Sequence, residues 1–592
     1  MSSSQALLFA LLAGTMGLFI WGRYRYDIVA FGALVIATLL EIVPAPEAFL
    51  GFGHPAVITV ATVLVISRAL QNSGVVDMLA AKLEVATRDP LIHIGALTGL
   101  AAVLSAFMNN VGALALLMPV ALQTAATAGR SPALLLMPLS FGSILGGMMT
   151  LMGTPPNIII ASYRQELTGQ SFGIFDFSPV GVILALGGVV FITFVGWRLI
   201  PKGRRGNKAG EDLFEITDYI TELRVLEDSP VIGRGLRDLE TLADDEVLGV
   251  GVLRGDNHII AGARYARLRV GDIVIVASDP SALAKLVKTA KLELVGKEAF
   301  KTEDLTSEEA GVVEAVISPA SPLVKRTFAG LRLGQRFNMN LIAIARQGKP
   351  FKKRLDKVRL QQGDVLLLQG ERESLTETIV DLGCLPLAER GLRIRTRPSP
   401  LIPLGIFATA LIAAVTGLLP VFVAFRAAIV LLVLMQVVSV REVYTSIDWP
   451  VIVLLGAMIP LGRALETTGG TDLIASGIVT VAGGLGPLFI MALLLVVTMT
   501  LSDVMNNAAT AVVMAPIAAT LATQLGVNLD PFLMAVAVGA SCAFLTPIGH
   551  QNNVLVMGPG GYKFGDYWRM GLPLEILIVA GSVPLIAHVF PL

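Results

Sequence analysis

The chain has little charge. Of its 592 residues only 15% are Asp, Glu, Lys or Arg, whereas 54% are hydrophobic, and the mean hydropathy is +0.73. Soluble globular domains carry about 25% charged residues, so the shortage excludes an ordinary soluble protein. The 45 basic and 45 acidic residues cancel, and a zero formal net charge names no nucleic-acid partner. The two cysteines, Cys384 and Cys542, fall in different segments and suggest neither a disulfide framework nor a metal site. The apolar runs hold no His-rich or paired-carboxylate constellation, which argues against a membrane enzyme. There is no T-V-G-Y-G filter, which a selective K+ channel requires. The G-x-G in "GVGVLRGDN" (Gly249–Asn257) lacks the third glycine of a dinucleotide loop. The N-terminal "MSSSQALLFA" lacks the basic region of a signal peptide, so it reads as a retained first span.

What is present is apolar sequence in long runs. Gln5–Gly22, Ile28–Leu40, Val57–Ile66, Val180–Leu199, Leu401–Leu419, Ala427–Val440, Val451–Pro460 and Leu572–Val589 approach or reach the ~20 residues needed to cross a bilayer as a helix. The predicted fold class is an all-α polytopic membrane protein. Its apolar character stops at Pro201 and returns at Leu401. The insert between is charged and rich in β-branched residues. It is bracketed by "PKGRRGNK" (Pro201–Lys208) and "RGLRIRTR" (Arg390–Arg397), and basic clusters beside spans mark the cytoplasmic side.

The membrane halves repeat each other. "PAVITVATVLVISRALQNSGVVDMLA" (Pro55–Ala80) aligns without a gap to "PVIVLLGAMIPLGRALETTGGTDLIA" (Pro450–Ala475), pairing Arg68 with Arg463, Gly74 with Gly469 and Asp77 with Asp472. "SAFMNNVGALALLMP" (Ser105–Pro119) aligns to "SDVMNNAATAVVMAP" (Ser502–Pro516), and "LMGTPPNII" (Leu151–Ile159) to "LTPIGHQNNVL" (Leu545–Leu555). In the last pair, Asn157 matches Asn552 or Asn553. Spans near 5–22, 26–43, 56–72, 134–163 and 177–200 give the first half five crossings. The segment 91–127, interrupted at Asn109–Asn110, reads as a re-entrant hairpin. An odd count inverts the second half. Arg23, Arg25, Lys82, Arg88, Arg130 and Arg204–Arg205 then fall inside, and both termini outside. Two inverted repeats of five spans plus one hairpin each are the mark of a secondary transporter.

The insert is also duplicated. "SPVIGRGLRDL" (Ser229–Leu239) aligns to "SPLVKRTFAGL" (Ser321–Leu331), and "VGDIVIVASDPSAL" (Val270–Leu283) to "QGDVLLLQGERESL" (Gln362–Leu375). The expected units are membrane repeats 1–200 and 401–592, and small α/β domains at 213–295 and 305–385.

Polar residues inside the apolar repeats are the candidate site. An amide at hydrocarbon depth is costly unless paired, and backbone that leaves the helix there must be buried in protein or line a wet cavity. Asn109, Asn110, Asn506 and Asn507 sit at the two hairpin tips. As tip residues they can coordinate a cation through the carbonyl, donate to an anion, or cap the following helix. That helix start itself favours an anion. Gly153, Thr154, Pro155 and Asn157, and Thr546, Pro547, Gly549, Asn552 and Asn553, lie where glycine and proline break a span and free carbonyls for an ion. A purely capping role for the tips, and a packing kink for the breaks, are the structural alternatives. Asp503 precedes the second pair where the first half has Ala106, and reads equally as a Na+ or proton site or as a helix-end carboxylate. Arg68 and Arg463 read as snorkelling or paired, His550 as a satisfied buried histidine, and Glu575 as facing the cytoplasmic edge.

The order of hairpin tip, Gly-Thr-Pro-x-Asn break and inverted copy resembles the divalent-anion–sodium symporters, over both membrane halves. That family carries Ser-Asn-Thr at each tip. Here Asn109 and Asn506 hold the serine place, Asn110 and Asn507 the asparagine, and Val111 and Ala508 the threonine, so the amide is kept and both hydroxyls are changed. The subgroup with Asn-Asn tips and an inserted domain pair includes members linked to sulfate uptake. The resemblance implies a Na+-coupled symporter of a sulfate-like or dicarboxylate anion working by alternating access. It also implies Na+ at Asn110, Asn157, Asn507 and Asn552, a homodimeric scaffold, and residence in the inner membrane. The insert resembles a duplicated C-terminal lobe of potassium-conductance regulators (the RCK C-terminal domain), which implies a small-molecule effector; a passive or dimer-forming module is the alternative. A cation/proton exchanger of the same superfamily is the second reading of the whole chain, with Asp503 as its discriminating residue.

Overall fold

The computed structural model describes residues 3–21, 24–72, 89–205, most of 220–294 and of 310–389, and 401–592 apart from 420 and 483. Gly74, Asp77, Lys82 and Arg88, the 206–208 end of the first basic cluster and the whole of 390–397 lie outside the described residues.

The first half is helical: α1 (Ser3–Trp21), α2 (Tyr26–Leu39), α3 (Pro55–Asn72), α4 (Pro90–Ser105), α5 (Asn110–Thr127), α6 (Ala133–Gly147), α7 (Pro155–Thr168) and α8 (Ser178–Phe194). Helix boundaries follow local chemistry. Asp89 caps α4 by accepting from the Leu91 and Ile92 amides, with Pro90 at the first helical position. Gly169, at φ +77°, closes α7 in the left-handed region that favours glycine. The segment read as one broken span, 134–163, is two helices, α6 and α7, with the Gly-Thr-Pro motif between them.

In the insert, strands β1 (Ile220–Val225), β2 (Val247–Arg254), β3 (Asn257–Ile259), β4 (Ile273–Ser278) and β5 (Leu292–Leu294) form an antiparallel sheet in the order β3-β2-β4-β1-β5, with helix α9 (Pro280–Ala290). Strands β6 (Ala310–Ile317), β7 (Asn340–Arg346), β8 (Lys349–Pro350), β9 (Val365–Glu371) and β10 (Cys384–Glu389) form a second sheet, with helix α10 (Leu375–Asp381). Its order, read from the other end, is β8-β7-β9-β6-β10, the same topology. The internal bonds repeat as well. Arg254 forks onto Asp272 (2.8 and 2.7 Å) as Arg346 forks onto Asp364 (2.6 and 2.7 Å). Ser229 donates to the Ala290 carbonyl (2.5 Å) as Ser321 donates to that of Leu382 (2.6 Å).

The second half runs α11 (Leu401–Val415), α12 (Val421–Leu434), α13 (Trp449–Thr467), α14 (Gly470–Ala482), α15 (Pro487–Ser502), α16 (Asn507–Leu525), α17 (Leu529–Ser541), α18 (Gln551–Met557) and α19 (Tyr567–Val589). α4 packs on α6 as α15 packs on α17. Across the halves, α7 packs on α16 and α17, and α18 packs on α5 and α6. Among the described residues, four helical segments are long and apolar enough to cross a membrane: Asn110–Thr127, Trp449–Thr467, Asn507–Leu525 and Phe564–Val589. With the shorter apolar helices around them, they make a multi-pass membrane protein. Two of the four are α5 and α16, the arms that follow the asparagine tips.

Candidate functional site: paired breaks joining the two halves

Each asparagine pair divides its work. The first residue caps: Asn109 accepts from the Gly112 amide (2.6 Å), and Asn506 from the Ala508 amide (2.9 Å). The second is buried and turns inward. Asn507 accepts from the Ser502 hydroxyl at 2.9 Å, and Asn110 meets Ser105 Oγ at 2.6 Å. These serines open the repeated S-x-x-M-N-N frame, and sequence reasoning left them out of the site. In the amide orientation that places donors against acceptors, the two Asn110 Nδ2 hydrogens face three acceptors, Ser105 Oγ and the Gly153 (3.1 Å) and Ser143 (3.2 Å) carbonyls, and Oδ1 accepts from His550 Nε2 (3.1 Å).

The helix breaks follow one pattern twice. Asn157 Nδ2 donates to the Thr150 (2.8 Å) and Gly147 (3.4 Å) carbonyls, and Asn553 Nδ2 to the Thr546 (3.1 Å) and Ala543 (3.0 Å) carbonyls. The Thr150 hydroxyl donates to the Ala106 carbonyl, as that of Thr546 does to the Asp503 carbonyl (2.6 Å). Asn157 therefore corresponds to Asn553, and Thr150, absent from the candidates, to Thr546. Thr154 holds the N-cap position of α7 without a side-chain capping bond, and His550 holds that of α18. Gly153 and Gly549 are tight backbone crossings. A Cβ on Gly153 would lie 2.8 Å from the Ser105 carbonyl oxygen, and one on Gly549 2.5 Å from that of Ser502. Pro155 starts α7, and the buried Pro547 lies in the turn before α18.

The two halves are stitched together here. Asn552 Nδ2 donates to the Asn110 backbone carbonyl (3.0 Å) and to Ser143 Oγ (2.6 Å), and Ser140 Oγ donates to Asn553 Oδ1 (2.7 Å). The Asn552 side-chain oxygen is buried with no hydrogen-bond partner among the described residues. An unpaired buried carbonyl costs ~1–3 kcal/mol, and an amide oxygen is a hard donor suited to Na+. His550 is satisfied on both nitrogens. Nδ1 accepts from the Asn552 amide (3.1 Å), which leaves the proton on Nε2, facing Asn110.

Glu575 does not face a cytoplasmic edge. It is 7% exposed and lies in side-chain contact with Asp503, itself 4% exposed. Glu575 Oε1 accepts from the Phe544 amide (3.3 Å), and Asp503 Oδ1 from the Leu545 amide (2.9 Å). Asp503 Oδ2 has no hydrogen-bond donor among the described residues. Two carboxyl groups in contact need a shared proton or a cation between them. The sequence hides this pair because Asp503 stands just past the end of α15 and Glu575 on α19, and the first half has no counterpart. Arg463 pairs with Glu166 (2.6 Å) and lies away from the breaks.

The sequence profile of a family described as citrate transporters matches residues 16–539. An uncharacterized transporter of Synechocystis is 32% identical over 99% of this chain and 97% of its own length. An uncharacterized transporter of Escherichia coli is 30% identical over 98% of both. A protein named sodium/sulfate cotransporter 2 of Chlamydomonas reinhardtii is 26% identical over 62% of this chain and 43% of its own length.

Proposed function

This chain belongs to the citrate transporter family, and from that premise we propose that it is a Na+-coupled symporter of a small divalent oxyanion, sulfate rather than a dicarboxylate. Membership makes it a transporter and not an enzyme. The substrate and the coupling ion are our reading. The observation that carries it is Asn552, whose amide nitrogen ties the second half to the Asn110 carbonyl of the first while its buried oxygen is left unpartnered. That oxygen, with the carbonyls freed at the breaks, supports a dehydrated Na+. The anion then lies between the two tips, where the N-termini of α5 and α16 supply N–H groups and the positive dipole end. The tips carry Val111 and Ala508 in place of hydroxyls, which favours an oxyanion bound by main-chain donors. The name of the Chlamydomonas relative points the same way.

Alternating access would move the tip-bearing helices against α1–α3 and α11–α13, with the halves inverted in the membrane, the insert cytoplasmic and two chains sharing the scaffold. The insert units, 213–295 and 305–385, read as RCK C-terminal-like effector domains. A second reading, cation/proton exchange, is favoured by the Asp503–Glu575 contact alone. Uptake of labelled sulfate and succinate by proteoliposomes, with and without an inward Na+ gradient, separates the two. Sulfate uptake that rises with the gradient supports symport. Silence for both anions alongside Na+/H+ exchange sinks it.

A further inference from the structure

The two insert units share one topology but differ in surroundings. Gly271 and Gly363 occupy the same turn, both in the left-handed region (φ +83° and +80°). Among the described residues, a Cβ on Gly271 would meet nothing within 4 Å, whereas one on Gly363 would lie 3.0 Å from the Val554 carbonyl oxygen of α18. The approach is reciprocal. A Cβ on Gly558, which ends α18, would overlap the Gly363 carbonyl and lie 3.2 Å from Val365 Cγ2. Backbone meets backbone here because both partners are glycine.

The face behind this turn is apolar. Val316, Val365 and Leu367 point away from the second unit's own core and are buried in the same cluster as the membrane helices. Sequence explains the asymmetry: Arg224, exposed in the first sheet, stands where the second has Val316. β9 is covered on both faces: Val365, Leu366, Leu367 and Leu368 are all buried.

We infer that the second α/β unit, and not the first, is the element that sets the position of α18, so that its docking or release switches the transport site. α18 has only seven residues, Gln551–Met557. Its start carries His550, Asn552 and Asn553, which bond to the first half, and its end abuts Gly363. A short rigid rod held at both ends transmits a displacement of either end to the other. The Arg346–Asp364 fork ties the contact turn to the sheet (2.6 and 2.7 Å), so the turn moves with the whole unit. This inference rests on α18 belonging to the transport site; its main readout does not depend on the substrate.

The test is amide exchange and Na+-driven uptake by the full chain in lipid nanodiscs and proteoliposomes. Val316→Arg gives the second sheet the residue of the first. Gly558→Ala wedges the same contact from the membrane side and leaves the insert's sequence intact. Arg224→Ala in the first unit is the control. In both undocking variants, exchange over Gln551–Met557 should rise by at least about tenfold while β6 and β9 keep their protection, and uptake should change at least about threefold. Arg224→Ala should do neither. If Gly558→Ala leaves exchange over Gln551–Met557 at the wild-type rate, or if Arg224→Ala matches the other two, the inference is overturned. Accelerated exchange with an unchanged uptake rate overturns the switching role.

Discussion

Asn552 Nδ2 lies 3.0 Å from the main-chain oxygen of Asn110, a bond between residues 442 positions apart. Its neighbour Asn553 instead repeats the local pattern of Asn157. The adjacent asparagines thus have different tasks: Asn553 shapes its own break and Asn552 reaches across. Asn552→Ala should reduce uptake by at least about tenfold, and by removing two hydrogen bonds cost about 1–3 kcal/mol in stability. Uptake rate and denaturation midpoint of the purified variant check both.

The tips make a sharper contrast. Asn109→Ala and Asn506→Ala remove caps and should each cost about 1 kcal/mol of stability while transport persists. Asn110→Ala and Asn507→Ala should abolish uptake in protein that still folds. Wild-type uptake in Asn110→Ala or Asn507→Ala would mean that the tips act only through helix capping.

Asp503 and Glu575 share one contact, so they should act as a unit. Asp503→Asn and Glu575→Gln should each weaken the dependence of uptake on Na+ concentration by at least about fivefold, with the double variant no worse than either single one. Additive losses in the double variant would show two unrelated groups.

In the first insert sheet, burial alone would raise the pKa of Asp272. The Arg254 guanidinium and the Arg269 amide overcome that and hold the carboxyl below its ordinary value of 3.8. A depressed carboxylate stabilises the fold above its unfolded pKa, and the contribution is lost as pH falls through the folded value. The excess exchange protection of β1 and β4 in wild type over Arg254→Met should therefore be full at neutral pH and shrink below about pH 4. A gap that stays constant into acid would assign it to packing of the Arg254 stem.

Much of this site is legible in the sequence because it is written twice. The tips and both breaks stand out as polar residues at a nearly constant offset inside apolar runs, and the β-rich insert is equally plain from its own repeat. What the offset blurred was register. Thr546 matches Thr150, and His550 takes the place of Thr154, because the second break carries a different mix of residues between the same backbone landmarks. Glu575 was illegible for a different reason: its partner Asp503 lies 72 positions earlier, just past the end of α15. The docking of the second insert sheet was also out of reach. Only the exchange of Arg224 for Val316 hinted that one copy is covered and the other is not.

If residues from both halves build a single site, each chain binds one anion and needs both tips to do so. Equilibrium binding of radiolabelled sulfate to the purified chain, in Na+ and in choline, tests it directly. Binding should be saturable, Na+-dependent and limited to one site per chain, and it should be lost completely in Asn110→Ala and equally in Asn507→Ala. Half the binding remaining in each variant, or full binding in either, would contradict a single site.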